Sequence, residues 1–244
     1  MLDQSEVARA LVVTAHPDDV DFGAAGTIAT WCAEGVEVTY CVITDGDAGG
    51  SDHDVPREDI PGIRRAEQSA AAALCGVSDV RFLGYRDGEL VVSHDLRRDI
   101  VRVIRQVRPD RMLIQSPERN WERIGASHPD HLAAGEAAIQ AVYPDARNPF
   151  AHASLLNDEG LEAWTVREVW LMADPNPDHF VDVTIRFDTK IAALKAHESQ
   201  TAHMDDIAGF VGQWMRGSAD ASRKAGYDMP EGALVEAFRV VTTG

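Results

Sequence analysis

Short apolar runs rich in β-branched residues alternate with longer helical segments along this chain of 244 residues. The runs Ala10–Thr14, Val36–Thr44 and Met112–Gln115 are typical of strands that are buried on both faces of a sheet. Between them, a segment such as Ile63–Leu74 has the composition of a helix. This alternation predicts one α/β domain over residues 1–244: a Rossmann-like, mostly parallel sheet with helices on both faces.

The remaining predicted elements follow the same order. Further strands are predicted at Val80–Phe82, Glu168–Met172 and Val235–Val241, and further helices at about Gly23–Ala33, Leu96–Val107, Pro129–Val142, Asp188–His197 and Met204–Ala225. The stretch Pro144–Glu159 is the loosest, and we interpret it as a flap rather than a domain boundary.

Composition excludes several classes of protein. The formal net charge is −17, so the chain has little with which to neutralise nucleic-acid phosphates or to approach an anionic membrane. No stretch reaches the roughly 18 apolar residues that a membrane span requires, and the N-terminal segment lacks the basic region of an export signal. The three cysteines are widely spaced and are expected to be buried thiols. A cytoplasmic protein without a nucleic-acid partner is therefore expected.

Three polar residues follow the first predicted strand directly, in the segment His16-Pro17-Asp18-Asp19. Ligands of open α/β sheets gather beyond the carboxyl ends of the strands, so a site is expected here. Imidazole nitrogen and carboxylate oxygen are zinc ligands, and a catalytic zinc site uses three ligands from the protein. Helix capping by Asp18 or Asp19 would explain one carboxylate but not this crowding. The segment therefore predicts two metal ligands and a free base.

A second cluster, Ser127-His128-Pro129-Asp130-His131, follows the strand Met112–Gln115 and a polar loop. His128 and His131 are three residues apart, so at the start of a helix they lie on one face. One of them can bind a metal while the other reaches a substrate. Capping of the helix by Ser127 or His128 is an alternative that is compatible with this interpretation. Two His-Pro-Asp clusters at strand ends of one sheet indicate a metal site more strongly than either cluster alone.

These motifs resemble those of the PIG-L/LmbE-like zinc-dependent N-deacetylases. The likeness covers the chain from about Ala10 to Gln200 and includes the segments Gly26–Ala29, Thr44–Gly46, Arg64-x-x-Glu67, Arg108–Asp110 and Lys190–Gln200. The chain departs from the family at Val20, where many members have Glu, and at Ala25, where many have Gly. Both departures concern the shape of the substrate floor rather than an expected ligand.

The resemblance implies that His16, Asp19 and His131 bind zinc, although iron or cobalt fits the same ligand types. It implies that Asp18 is the general base, which takes a proton from the attacking water. His128 would stabilise the tetrahedral oxyanion or protonate the leaving amine. For the second of these tasks His128 must be protonated, and we expect the neighbouring Asp130 to favour that form.

Arg64 and Asp87 match positions that contact the sugar in some relatives. The implied activity is hydrolysis of an N-acetyl or similar N-acyl group from an N-acetylglucosamine-type amino-sugar derivative. A mycothiol-conjugate-type amidase, or another mononuclear metal hydrolase on the same scaffold, is the alternative. Family members often assemble through their edges, so a homo-oligomer is compatible with the resemblance.

Two other enzyme classes fit the sequence less well. A dinucleotide-binding oxidoreductase needs G-x-G-x-x-G after the first strand, and this chain has Gly23-Ala24-Ala25-Gly26 preceded by three acidic residues. A phosphoesterase often uses two metal ions about 4 Å apart, and the motifs supply ligands for one.

Several other residues receive weaker predictions. Surface or turn positions are expected for His53, His94, His152, His179 and His203. His197 is expected to pack a late helix against the sheet, with contact to the site as the alternative. Trp121 and Trp164 could stack on a sugar ring, and internal packing is at least as consistent with their contexts. The segment Asp45–Gly50 is expected to be a flexible loop that borders the site.

Overall fold

A computed structural model describes residues 1–50 and 54–243 and confirms the predicted α/β fold. Within these residues seven strands form one sheet: β1 (Arg9–Thr14), β2 (Glu37–Thr44), β3 (Asp79–Tyr85), β4 (Arg111–Gln115), β5 (Glu168–Met172), β6 (His179–Asp182) and β7 (Val235–Thr242). Their spatial order is β3-β2-β1-β4-β5-β7-β6. Strands β1 to β5 pair in parallel, as the sequence predicts. His53, predicted to be a surface residue, lies outside the described residues.

Helices connect the strands and cover both faces of the sheet. Over the described ranges the α-helices are α1 (Asp19–Ala33), α2 (Ile60–Leu74), α3 (His94–Val107), α4 (Pro129–Gln140), α5 (Ala153–Asn157), α6 (Phe187–Lys195), α7 (Glu198–Thr201) and α8 (Ile207–Lys224). The segment Ala141–Ala146 follows α4 directly, and the extended backbone of Tyr143 (φ −140°, ψ 122°) interrupts the helical path there.

The alternation of side chains along β1 explains why both faces are covered. Leu11 and Val13 belong to the hydrophobic cluster that includes residues of α3 and α4. Ala10 and Val12, which point to the opposite face, belong to the cluster that includes residues of α1 and α2. A strand that is apolar at every position is therefore buried on both sides, as is usual for a parallel sheet.

The far edge of the sheet differs from the prediction. The strand β7 is antiparallel to both β5 and β6, and β6 was not expected. β6 is short, half-buried and begins and ends with the polar residues His179 and Asp182, so it lacks the apolar run that marks the other strands. Glu236 of β7 accepts hydrogen bonds from the backbone N–H groups of Gly26 and Thr27, which fastens this edge to α1.

The flap interpretation of Pro144–Glu159 is wrong, because this stretch contains α5 and is fixed to α3. The buried guanidinium of Arg105 on α3 donates hydrogen bonds to the carbonyl oxygens of Asp145, Asn148 and Ala151. One arginine thus satisfies several backbone carbonyls of a segment whose composition alone looks irregular.

Two predictions from composition can be compared with the structure. The cysteines are free; Cys41 and Cys75 are buried and Cys32 is partly buried. Among the described residues, every helix is too short or too polar to cross a lipid bilayer.

The order of the strands determines where a site can form. From β1 the chain continues to β2 on one side, whereas β4 lies on the other side, so the crevice between β1 and β4 is a topological switch point. Such crevices, at the carboxyl ends of the strands, are the usual ligand sites of open α/β sheets. His16 follows β1, and the loop after β4 leads to His128 and His131.

Candidate metal centre

The segment from His16 to Asp19 forms the turn between β1 and α1. Asp18 occupies the N-cap position of α1 with φ +89° and ψ −24°, a left-handed conformation that non-glycine residues seldom adopt. Its side chain makes no capping hydrogen bond. The carboxylate of Asp19 accepts a hydrogen bond from the backbone N–H of His16 at 2.7 Å instead of capping the helix. The capping interpretation of this pair of aspartates is therefore wrong.

The second turn does cap its helix. His128 is the N-cap residue of α4, and its Nδ1 accepts a hydrogen bond from the backbone N–H of Asp130 at 3.2 Å. Pro129 follows at the first helical position, and His131 lies in the first turn. Because Nδ1 is the acceptor, a neutral His128 carries its proton on Nε2.

The two turns bring the three predicted ligands together. Nδ1 of His16 lies 3.2 Å from Nε2 of His131 and 3.4 Å from Oδ2 of Asp19. Nε2 of His131 lies 3.0 Å from Oδ1 of Asp19. Ligand atoms about 2.0–2.1 Å from a tetrahedral zinc ion are about 3.3 Å apart, so this donor set fits such an ion in both chemistry and spacing.

Carboxylates also surround the other nitrogen of His16. Its Nε2 lies 3.1 Å from Oδ1 of Asp87 and 3.2 Å from Oδ2 of Asp130. A carboxylate only accepts hydrogen bonds, so in the neutral form of His16 that binds a metal, Nε2 carries the proton and Nδ1 presents a lone pair towards Asp19 and His131. A carboxylate behind an imidazole in this way fixes the orientation of a metal-ligating histidine.

The electrostatic environment favours a cation. Burial alone would lower the pKa of His16, but the carboxylates of Asp19 and Asp87 outweigh it and raise that pKa to about 11. Burial raises the pKa of Asp19, whereas His131 and His16 hold it well below its usual range. An arrangement that stabilises a proton so strongly also stabilises a metal ion at the same place.

Two groups of residues could hold a metal ion within the described part of the chain. His16, His128 and His131 place one ligand atom each within 4.8 Å of one another, as do His16, Asp87 and Asp130. In the second group the carboxylate of Asp130 already accepts hydrogen bonds from the backbone N–H groups of Gly88 and Leu90. The Nδ1 side of His16 is therefore the better position for an ion.

Asp18 is held by Arg64 of α2. The guanidinium of Arg64 is buried, and its Nη2 donates to Oδ2 of Asp18 at 2.9 Å and to the carbonyl oxygen of Pro17. Gly46 makes room for it, because a Cβ there would lie 2.0 Å from Nη1 of Arg64. Burial raises the pKa of Asp18 to about 6, although Arg64 lowers it. A carboxylate with this pKa is largely ionised at pH 7 and can still accept a proton.

Arg64 and Asp87 thus contact the groups around the predicted ligands. Arg64 binds the side chain of Asp18, and Asp87 binds the imidazole of His16. Asp87 also accepts a hydrogen bond from the backbone N–H of Ala48, which places the loop after β2 beside the site, as predicted. In this structure both side chains serve other protein groups, and their contact with a sugar stays a prediction.

His128 is exposed and lies near the two predicted imidazole ligands. Its ring centroid is 5.0 Å from that of His16 and 5.3 Å from that of His131. Desolvation of the ring, followed by the two neighbouring imidazoles, lowers the pKa of His128. Asp130 favours the protonated form of His128, as expected, but desolvation and the two imidazoles outweigh it. A neutral His128 can still donate a hydrogen bond from Nε2.

A cavity of about 560 Å³ opens beside the predicted ligands. Asp19 and His131 line one end of it, while the rest is mostly apolar and includes Phe22, Met172, Phe210 and Trp214. Phe210 and Trp214 lie four residues apart on α8 and so share one face of that helix. The guanidinium of Arg123 lies 5.3 Å from the centroid of the Trp214 ring.

Sequence reasoning missed several residues of this region. Phe210 and Trp214 carry a signal, namely two aromatic residues at helical spacing. Gln68 follows Arg64 by four residues and therefore lies on the same face of α2. Asp130 was named only for an effect on His128, whereas its carboxylate joins the second turn to His16 and to the loop after β3.

Other residues named from the sequence lie away from the centre. Nε1 of Trp164 donates to the carbonyl oxygen of Pro109, and the ring packs against the hydrophobic core, which is the alternative that the sequence left open. The side chain of His152 is buried against Asp145 rather than on the surface. His197 is fully buried, as expected of a packing residue, and bonds to Asp21.

Comparison with known proteins agrees with this geometry. The family model of the GlcNAc-PI de-N-acetylases, PIG-L, matches residues 11–142. The chain belongs to the PIG-L family. The matched range contains both turns and all the predicted ligands. Phe210 and Trp214 of α8, which line the cavity, lie beyond it.

Curated relatives and a solved structure of the PIG-L family extend the likeness. A diacetylchitobiose deacetylase of Thermococcus kodakarensis is 32% identical over 196 residues, covering 80% of this chain and 71% of the relative. A probable N-acetyl-alpha-D-glucosaminyl L-malate deacetylase 2 of Bacillus cereus is 36% identical over 201 residues, covering 80% and 84%. The inhibitor complex of N,N'-diacetylchitobiose deacetylase from Pyrococcus horikoshii superposes with a TM-score of 0.84 and 31% identity, covering 98% of this chain and 85% of that one.

Proposed function

We propose that this protein is a metal-dependent N-deacetylase that removes the acetyl group from an N-acetylglucosamine-type amino sugar. The observation that carries the proposal is the convergence of His16, Asp19 and His131 at separations of 3.0–3.4 Å, with the non-ligand carboxylate of Asp18 beside them. The relatives support the substrate class, because their names describe deacetylases of diacetylchitobiose and of N-acetylglucosaminyl malate.

His16, Asp19 and His131 would hold the metal ion, and we propose zinc. A bound divalent cation of this kind acts as a Lewis acid and lowers the pKa of a water molecule to about 7. Two imidazole nitrogens and one carboxylate oxygen are ordinary zinc ligands, and iron or cobalt accepts the same set.

The residues of the chain then divide the proton transfers. Asp18, kept largely ionised at pH 7, accepts a proton from the water whose oxygen attacks the amide carbon. His128 donates a hydrogen bond from Nε2 to the oxyanion that develops on the carbonyl oxygen. As the C–N bond breaks, the proton held by Asp18 passes to the nitrogen. The products are acetate and a free amine, and the atoms of one water molecule are consumed.

The cavity beside Asp19 and His131 would receive the substrate. One wall presents apolar side chains from α1, β5 and α8, which suit the less polar face of a pyranose ring or an apolar substituent. Arg64 and Asp87 would act mainly on Asp18 and His16. The same residues would also serve a mycothiol-conjugate-type amidase, which is the alternative function.

Two variants test the proposal, with acetate release from N-acetylglucosamine and N,N'-diacetylchitobiose as the assay and metal content measured alongside. Asp18→Asn is expected to keep its metal and to lose about 10²- to 10⁴-fold in kcat. His131→Ala is expected to lose both metal and activity. Asp79→Asn, at the opposite end of β3, is the control and should behave like the wild type. Normal turnover by Asp18→Asn would contradict the assignment of the base.

The identity of the metal is tested separately. After removal of metal with a chelator, activity should return with zinc, and the activities restored by zinc, iron(II) and cobalt(II) can be compared directly. A wild-type protein that binds none of these ions and releases no acetate would contradict the whole proposal.

A further inference from the structure

Gln68 lies one helical turn after Arg64 on α2, and both side chains reach the turn that carries Asp18. The side chain of Gln68 is fully buried, and its Oε1 accepts a hydrogen bond from the backbone N–H of Asp18 at 2.8 Å. We propose that Gln68 is a positioning residue, which holds the backbone of Asp18 in the conformation from which its carboxylate works. The inference rests on the proposed function, because it requires Asp18 to act as the base.

The conformation of Asp18 needs such support. Its φ of +89° is in the region that favours glycine, where the Cβ of an aspartate is crowded by the backbone. Strained positions of this kind persist only where the surrounding structure holds them, and they concentrate at functional sites. Here Arg64 holds the carboxylate and Gln68 holds the backbone N–H, so the two contacts act on different parts of one residue.

A buried ion pair determines the direction of the Gln68 amide. Nε2 of Gln68 donates to Oδ2 of Asp21 at 2.8 Å, and the same oxygen lies 2.8 Å from Nε2 of His197. Asp21 and His197 are both fully buried. Since a carboxylate accepts but does not donate, the nitrogen of the amide must face Asp21 and its oxygen must face Asp18. The amide therefore has one satisfactory orientation.

This network also accounts for three buried polar side chains that the proposed reaction does not otherwise use. Asp21 lies on α1, Gln68 on α2, and His197 immediately before α7. Together they connect the turn after β1 to two other helices without contacting the predicted metal ligands directly. Loss of Gln68 should therefore displace Asp18 while His16, Asp19 and His131 remain able to bind metal.

The principal test replaces Gln68 with a residue of similar size that cannot accept this hydrogen bond. For Gln68→Met we expect kcat for acetate release to fall about 10- to 100-fold, with KM within about twofold of the wild type and metal content unchanged. Gln140→Met is the matched control. Gln140 also makes two side-chain hydrogen bonds, to Arg97 and Glu136, but it lies at the far end of α4, and its kcat should be unchanged.

A second readout is independent of turnover. The backbone amide of Asp18 should exchange its hydrogen slowly in the wild type, because it is hydrogen-bonded, and faster in Gln68→Met. A double variant, Gln68→Glu with Asp21→Asn, interchanges the two partners. The carboxylate introduced at position 68 still offers an oxygen to the N–H of Asp18. The amide introduced at position 21 can donate one N–H to that carboxylate and the other to Nε2 of His197, which then accepts with its own proton on Nδ1. This double variant should recover most of the kcat that Gln68→Met loses.

The outcomes separate this inference from the proposed function. An inactive Asp18→Asn beside a fully active Gln68→Met would overturn the positioning role alone. An active Asp18→Asn would overturn the proposed base and the positioning role together. A fall in kcat accompanied by loss of metal, or by an equal fall in the double variant, would show that Gln68 only supports the fold, and would also overturn the inference.

Discussion

The two His-Pro-Asp turns have the same three residue types in the same order, yet they are different structures. In the first turn the side chain of His16 is 10% exposed and has carboxylates at both ring nitrogens. In the second turn His128 is exposed and caps α4 through Nδ1. Burial opposes the protonated form of His16, but Asp19 and Asp87 outweigh it and raise the pKa to about 11, whereas desolvation lowers the pKa of His128.

The difference shows that two copies of the same short motif can place their histidines in opposite electrostatic environments. The first turn concentrates negative charge around a buried imidazole, which suits the binding of a cation. The second turn places one imidazole, that of His131, against Asp19 and His16, and leaves the other, that of His128, exposed beside them. We therefore expect the two histidines of the second turn to respond differently to the same substitution.

The largest expected effect concerns metal content. His131→Ala should abolish metal binding, whereas His128→Ala should retain close to one ion per chain, because only His131 faces both His16 and Asp19 at ligand distance. Metal analysis of both purified variants, after dialysis against a weak chelator, provides the measurement. Loss of the ion from His128→Ala would place His128 among the ligands and remove the distinction between the two residues.

The next effect concerns catalysis by the exposed histidine. His128→Ala should lower kcat by about 10²- to 10³-fold, the usual effect of removing one donor to a developing oxyanion. KM should change little, because the hydrogen bond forms mainly in the transition state. His94→Ala, at the first residue of α3, is the control. A normal kcat for His128→Ala would show that His128 takes no part in the reaction.

A smaller effect is expected at Asp130, which connects the two turns. The carboxylate of Asp130 accepts hydrogen bonds from the backbone N–H groups of Gly88 and Leu90 and lies beside His16. Asp130→Asn replaces one of its acceptor oxygens by a donor, so at least one of these contacts is lost. We expect metal affinity to fall about 10- to 100-fold and the free energy of unfolding to fall by about 1.5–3 kcal/mol. Calorimetric titration with zinc and chemical denaturation measure these quantities.

Asp95→Asn is the control for this variant, because Asp95 is exposed and pairs with its helical neighbour Arg98 at the surface. It should change the free energy of unfolding by less than about 1 kcal/mol. Equal behaviour of the Asp130 and Asp95 variants would mean that the two turns are not coupled.

The smallest expected effect concerns substrate fit. Trp214→Ala should raise KM by roughly 2- to 10-fold without changing metal content, because it removes part of the apolar wall and none of the charged centre. Phe150→Ala is the matched control, because this aromatic residue is 88% exposed and does not line the cavity. Steady-state kinetics on N,N'-diacetylchitobiose distinguish the two variants. A fall in kcat as large as that of His128→Ala would show that α8 takes part in the chemistry.

Much of the fold could be predicted because it depends on local patterns. The strand Glu168–Met172 was predicted with its observed limits, and β1, β2 and β4 within one residue, since each is a continuous apolar run. β6 could not be predicted, because its four residues include two polar ones and its pairing depends on β7, which lies more than fifty residues later.

The site divides in the same way. The proximity of the two turns was predictable from the rule that ligands gather at a topological switch point, whereas the choice of His16, Asp19 and His131 among their residues came from the family resemblance. The contacts of Asp87 with His16 and of Gln68 with Asp18 depend on how the loop after β3 and the helix α2 pack against the first turn. No local pattern contains that information.

The left-handed backbone of Asp18 also has a consequence for the evolution of this chain. Glycine would adopt that conformation without steric cost, so Asp18→Gly should relieve strain at the very position where it removes the proposed base. The backbone at position 18 therefore favours glycine, whereas activity and the buried guanidinium of Arg64, which would lose its carboxylate, favour aspartate. The free energy of unfolding of Asp18→Gly measures which of these two opposing effects on stability is larger, in a variant that has lost the proposed base.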